Sequence, residues 1–243
     1  MICVIVRAVP DLVEGLEIEE RDVRPYRYIA NELDEYAVEH AVSLKEKYNE
    51  RVEVIGIASE DAYDEIDESL YMAIAKGVDK AYKVKIPKTT SYKIADALSD
   101  FLKKFDIILT GTLAVDEFYG VLGATIADKL DIPYVGGVRS IEIEGDSVIV
   151  KKELGGGAYL VLKVKKPALF GILSLEKPPR YVPISKLRSV MRSAEIEELK
   201  VNVEEDVLDV RFLEPPKPEV KFIDGDPEEV AEKLAEIIRG LIS

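Results

Sequence analysis

The chain has 243 residues, 47% of them hydrophobic, enough for one large α/β domain or for one domain with arms. A formal net charge of −14 argues against nucleic acid and anionic membrane as partners, because both need a basic patch. No run approaches the roughly 18 apolar residues of a membrane-inserted helix.

The single cysteine, Cys3, excludes an internal disulfide and a Cys-based metal cluster, and an intracellular, cytoplasmic protein is the simple reading. The absence of Gln and Trp beside abundant Lys and Glu suggests a thermophilic source. Met1 to Arg7 has no basic n-region or cleavage site, so it reads as a strand and not a signal peptide.

In chain order, residues 2–6 are a short apolar run with the form of a buried strand. Residues 7–30 are charged and aperiodic, long for a plain connection, and read as a functional loop or hairpin. Asn31 opens a helix as N-cap, with Leu33, Tyr36, Ala37, His40, Ala41 and Leu44 on one face. A strand follows at 52–58, then a helix from Asp61 to Lys76 that Gly77 stops at a C′ position. Lys80 to Val84 is a strand, Ser91 to Phe105 a helix, and Asp106 to Thr110 a strand broken by Gly111. A helix spans about Gly120 to Leu130, with a short strand near Tyr134-Val135. This alternation predicts a doubly wound parallel sheet, a Rossmann-like nucleotide-binding fold, over residues 1–136.

After Gly136-Gly137 the pattern changes. Ser140–Ile143, Ser147–Leu154, Ala158–Val164 and Ala168–Leu173 read as strands of an appended antiparallel meander. Residues 174–183 hold three prolines and read as a loop, and 184–194 as a short basic helix. Residues 195–225 are an extended arm, stiffest at Pro215-Pro216-Lys217-Pro218. Asp226-Pro227 starts a last helix with Val230, Leu234, Ile237, Ile238 and Leu241 in one stripe. The domain division is therefore 1–194 and 195–243. Such an arm cannot bury its helix alone; it folds back on its own domain or docks on a partner.

Three loops should converge at the carboxyl edge of the sheet, where open α/β sheets bind ligands. They are Asn31 to Asp34, Ser59 to Asp61, and Gly111 to Gly123. In the last, Gly120 and Gly123 allow close backbone approach, and free N–H groups at a helix start favour phosphate. It is neither a Walker motif nor GxGxxG, and a strand–helix loop with packing glycines fits the pattern as well. For Asn31 the plain alternative is a cap. The single histidine, His40, cannot build a standard zinc site or a triad, and no metal site is expected. Cys3 reads as a core thiol and the acidic clusters, such as Asp61–Glu68, as solvated faces.

These residues carry a family resemblance. Asn31-Glu-Leu-Asp-Glu-Tyr-Ala-Val-Glu-His-Ala resembles a segment of electron-transferring flavoprotein beta (small) subunits that reads Asn-Pro-aromatic-Asp/Cys, two residues, then Ala-Val-Glu-x-Ala. Ala73-Ile-Ala-Lys-Gly-Val-Asp79 is similar to their Ala-x-Gly-Ala-Asp. Gly111-x-x-Ala-Val-Asp116 is similar to their Gly-Lys-Gln-Ala-Ile-Asp, and Glu153-Leu-Gly-Gly156 to their Glu-x-x-Gly-Gly. Leu175-Glu-Lys-Pro-Pro-Arg-Tyr181 is similar to their Leu-Asn-Glu-Pro-Arg-Tyr, with one residue inserted. The motifs keep the family's order over nearly the whole chain.

The resemblance implies a heterodimer in which an alpha subunit holds the redox-active FAD and this chain supports it without catalytic residues of its own. Electrons would pass between dehydrogenases and an acceptor such as a quinone oxidoreductase. It implies AMP in the chain's own crevice, or a second FAD in electron-bifurcating members. The implied contacts are Ile5; Asn31, Glu32, Leu33 and Asp34; Ser59; and Gly111, Thr112, Leu113, Ala114, Val115, Asp116, Glu117, Phe118, Tyr119, Gly120, Val121 and Leu122. Arg180, Tyr181 and Ile184 fall on the segment that docks partner dehydrogenases, with Ile184 as its apolar anchor.

One departure falls on the phosphate position. Glu117-Phe118-Tyr119-Gly120-Val121-Leu122 stands where the family carries hydroxyl and amide side chains, and Thr112-Leu113 replaces Lys-Gln. AMP, a second FAD and an empty crevice therefore stay open, with AMP slightly favoured. The rival of another class is a stand-alone adenine-nucleotide-binding sensor. A hydrolase or ligase lacks a nucleophile–base set.

Overall fold

The computed structural model describes residues 1–19, 22–87, 89–206 and 220–242. It divides into two units, Met1–Val210 and Arg211–Ser243. Pro215 to Pro218 lie outside the described residues.

The first unit opens with β1 (Ile2–Pro10), the hairpin β2 (Leu16–Glu19) and β3 (Asp22–Pro25), and β4 (Tyr28–Ala30), which pairs antiparallel with the end of β1. Then come α1 (Glu32–Tyr48), β5 (Val52–Ser59), α2 (Ile66–Lys76), β6 (Lys80–Ile86), α3 (Ser91–Leu102), β7 (Ile107–Gly111) and α4 (Leu122–Leu130). The chain continues through β8 (Tyr134–Glu144), β9 (Ser147–Gly155), β10 (Ala158–Lys165), β11 (Ala168–Ile172), α5 (Ile184–Ser193) and β12 (Ile196–Glu198). The sheet runs β10-β9-β8-β11-β7-β1-β5-β6-β12. All pairs from β8 to β12 are parallel, and β8-β9 and β9-β10 are antiparallel.

Alternation along β1 builds two cores. Ile2, Val4 and Val6 face α1 and α2 in one cluster, while Cys3 and Ile5 face α3 and α4 in the other. Burial pushes the Cys3 thiol well up, as expected of a core thiol. Gly77, with φ 133°, donates its N–H to the carbonyls of Ala73 and Ile74 and closes α2 as the sequence predicts.

Two strand assignments change. Gly136-Gly137 do not end a strand, for β8 runs through them. Its first half lies parallel to β11 and its second half antiparallel to β9, with a register shift between Val138 and Ser140. Ala168–Ile172 is not the last strand of the meander. It inserts between β7 and β8, parallel to both, because every one of its residues is buried, as a strand covered on both faces requires. The helix expected from Asp61 starts only at Ile66, after turns, and the one expected to reach Phe105 stops at Leu102.

The segment after α5 is tied to its domain at first. Ile196 pairs with Ala81 of β6, the Leu199 N–H donates to the Lys83 carbonyl, and Lys93 Nζ lies 2.6 Å from Asp206.

In the second unit, α6 (Pro227–Ile242) is capped by Asp226, whose Oδ1 accepts the N–H groups of Glu228 and Glu229, both at 3.0 Å. Its stripe includes Leu234, Ile237, Ile238 and Leu241, which are exposed among the described residues.

Candidate functional site

After β1 the chain winds outward through β5 and β6, then crosses back to place β7 on the other side of β1. That reversal is the topological switch point, and a crevice opens there at the carboxyl ends of β1 and β7.

Asp34 sits at its floor, in the first turn of α1, and is buried. Its Oδ2 accepts the Arg7 N–H at 2.9 Å and its Oδ1 the Gly111 N–H at 2.6 Å, so one carboxylate joins the ends of β1 and β7. Burial pushes its pKa up to about 6, against the opposing pull of those two N–H groups, the Arg7 charge and Asn31. Asn31 occupies the N-cap position without a side-chain cap bond; its Nδ2 donates to the Leu113 carbonyl at 3.0 Å instead. Asn31 thus holds the 111–122 loop against α1.

Arg7 crosses the mouth. Its two terminal nitrogens bond Glu117 Oε2 and Asp116 Oδ2, each at 3.0 Å. Glu117 also accepts from Ser91 Oγ, the first residue of α3, at 2.9 and 3.0 Å. Desolvation raises the Asp116 pKa, the Arg7 charge opposes it, and Glu117 adds to it. Thr112 Oγ1 accepts the Gly137 N–H at 3.1 Å. Thr110 Oγ1 lines the crevice, buried, with no hydrogen bond among the described residues.

The residues implied for the nucleotide separate into two groups. Ile5, Asn31, Asp34, Gly111, Thr112 and Leu113 line the crevice, as do Ala114, Glu117, Gly120, Val121 and Leu122. Glu32, Leu33, Ser59, Val115, Asp116, Phe118 and Tyr119 do not line it. Phe118 and Tyr119 point to solvent, at 75% and 86% exposure, so they neither fill nor stack in it. Glu32 accepts from the Tyr36 hydroxyl on the outside of α1. Arg7 and Ser91 were not singled out from the sequence. The signal for Arg7 was its place as the first charge after a buried run at the ligand edge; Ser91 gave none beyond opening a helix.

The glycines serve packing here. A Cβ on Gly111 would stand 2.6 Å from Asp34 Oδ1, and one on Gly120, whose φ is +60°, would stand 2.5 Å from the Thr112 carbonyl oxygen.

The segment that the resemblance assigns to docking is fixed by Arg180, whose Nε and N–H donate to Glu39 and whose terminal nitrogens donate to Glu46. Tyr181 and Ile184 beyond it are exposed, at 82% and 63%. His40 is half-buried, its Nε2 3.2 Å from the Ser174 carbonyl oxygen, and burial lowers its pKa.

The model of the Electron transfer flavoprotein domain matches residues 23–204. The chain belongs to the electron transfer flavoprotein family. Among its relatives, the electron transfer flavoprotein subunit beta of Bacillus subtilis is 28% identical over 226 residues, 87% of this chain and 86% of that one. The subunit beta of Thermoanaerobacterium thermosaccharolyticum is 35% identical over 69% of this chain and 65% of its own. That of Dictyostelium discoideum is 31% identical over 73% and 69%. The match is to the beta subunit, as the sequence motifs indicate.

For an electron transfer flavoprotein, the crevice is a poor fit to a nucleotide. The space inside it is about 20 Å³, room for about one water and far below the ~300 Å³ at which ligand pockets begin. Arg7 is the only cation lining it among the described residues; Asp116 and Glu117 already pair its guanidinium, and Asp34 accepts its backbone N–H. A phosphate brought there meets like charge, and the Thr110 hydroxyl is the one side-chain donor left without a partner among the described lining residues.

Proposed function

We propose that the chain is the beta subunit of a heterodimeric electron transfer flavoprotein and works in the cytoplasm. It supports an FAD held by an alpha subunit and passes electrons between dehydrogenases and an acceptor. Side chains of this chain do none of the redox chemistry; they bind, orient and shield the partner's flavin.

The observation that carries the partner is the free edge of the sheet. Tyr159, Leu160 and Val161 of the edge strand β10, and Leu154 of β9 beside it, are exposed by 42–60%. A free apolar edge is an invitation to pair, and monomers blunt such edges with charge or cover them. A stand-alone nucleotide sensor has no use for it.

In this reading, residues 1–194 form the nucleotide-binding-type domain. The arm of residues 195–243 lays the apolar stripe of α6 on the alpha subunit. Tyr181 and Ile184 dock the electron-donating dehydrogenase, an apolar anchor within a charged rim. Arg180 holds that segment in place from behind rather than touching the partner.

Co-expression with the alpha subunit tests the proposal. The two chains should elute together with flavin absorbance. Leu160→Glu combined with Val161→Glu should leave the chain folded and abolish co-elution. A colourless chain that elutes alone in the wild type contradicts the proposal.

A further inference from the structure

The mouth of the crevice is a closed circuit of this chain's own groups. Arg7 leaves the end of β1, Ser91 opens α3, and Glu117 comes from the loop between β7 and α4. The Glu117 carboxylate receives two kinds of donor, the Arg7 guanidinium at 3.0 Å and the Ser91 hydroxyl at 2.9 and 3.0 Å. Those are the donors, one cationic and one hydroxyl, that an anionic ligand at a switch-point crevice needs. The second terminal nitrogen of Arg7 is taken by Asp116.

We propose that Glu117 is a built-in substitute for the crevice ligand: its carboxylate occupies the anion position, ties β1, α3 and the 111–122 loop together, and excludes AMP and a second FAD. Space and charge both support it. With Glu117 in place the crevice offers about 20 Å³ of room. Asp116 pairs the other terminal nitrogen of Arg7 and the Asp34 carboxylate takes its backbone N–H, so one cation stands against three carboxylates before any phosphate arrives. The unpartnered Thr110 hydroxyl faces a space that one water fills and a phosphate does not. The neighbouring Gly111 and Gly120 leave no slack, since a single added carbon at either would collide with Asp34 or with the Thr112 carbonyl.

The inference rests on the family reading only for its choice of probe, and its test runs on the full chain with or without a partner. AMP is titrated calorimetrically into wild type, Glu117→Ala and Glu117→Gln. Nucleotides released by denaturing the native protein are identified by chromatography.

Wild type should release no AMP and no FAD beyond one per alpha subunit, and should give no heat with millimolar AMP. Glu117→Ala should melt several degrees lower and bind AMP at least about tenfold more tightly than wild type, since one like charge has left the phosphate's neighbourhood. Glu117→Gln, which keeps the shape, secures the comparison if the alanine variant fails to fold. Stoichiometric AMP or a second FAD in wild type overturns the proposal. So do folded variants that ignore AMP as wild type does, because Glu117 is then not what excludes it. Failure to find an alpha subunit would sink the functional reading and leave these titrations decisive for the crevice.

Discussion

Asp34 is a carboxylate with two backbone N–H donors from two strands, and burial still lifts its pKa to about 6. The unfolded value is about 3.9. The folded state therefore takes up this proton first on acidification. The group's contribution to stability is greatest below the unfolded pKa and is lost as pH rises through the folded one. Asp34→Asn removes that titration but offers one acceptor oxygen to two donors. At neutral pH it should cost about 1–3 kcal/mol for the orphaned N–H, a cost that grows as pH falls from about 6 to 4. Urea midpoints of both proteins across that range check the slope; a pH-independent difference contradicts it.

Arg180 makes a second residue-scale prediction. Glu39 is 10% exposed at its side chain and loses its one ion-pair partner among the described residues in Arg180→Ala. The variant should lose about 2–3 kcal/mol, the range of hydrogen bonds to charged groups. It should also weaken dehydrogenase docking without changing Tyr181 or Ile184, which binding measurements on the complex would show.

At the scale of elements, the parallel half of the sheet was legible because buried strands and amphipathic helices alternate with clear stops, as at Gly77. Residues 134–144 and 168–172 were not. Periodicity reports which faces are buried and is silent on which strand lies alongside, so an apolar run after two hairpins reads as the next strand of the meander. Its pairing with β7 and β8 is a long-range choice, driven by the demand of Ala168–Ile172 for cover on both faces. Phe170, fully buried there, should be one of the costliest truncations in the fold. Phe170→Ala is expected to lose about 3–5 kcal/mol in chemical denaturation. A loss below about 1 kcal/mol would mean that this strand lies at an open edge.

The crevice shows the same split. The loops that form it could be named from the strand–helix order, but what they do there could not. Asn31 has the composition of a cap and reaches across to Leu113 instead. Phe118 and Tyr119 look like obstructions and lie in solvent, while Glu117 between them and Asp116 closes the mouth. Side-chain direction in an irregular loop follows from contacts distant in sequence, here Arg7 and Ser91, and no local pattern encodes it.

At the scale of the whole molecule, the family assignment and the exposed apolar surfaces point the same way. The edge at β9 and β10, the pair Tyr181 and Ile184, and the α6 stripe are each exposed among the described residues. Together they fit the proposed role of a subunit that docks on other proteins, and the net charge of −14 argues against nucleic acid and anionic lipid among them. Among the described residues no helix is long and apolar enough to cross a membrane, and no cluster could hold a metal ion. Native mass spectrometry of the chain purified with its partner tests this account most directly. The account predicts one species whose mass is this chain, one alpha subunit and one FAD. A free chain of 27.1 kDa as the dominant species, with no flavin in any larger one, would contradict it.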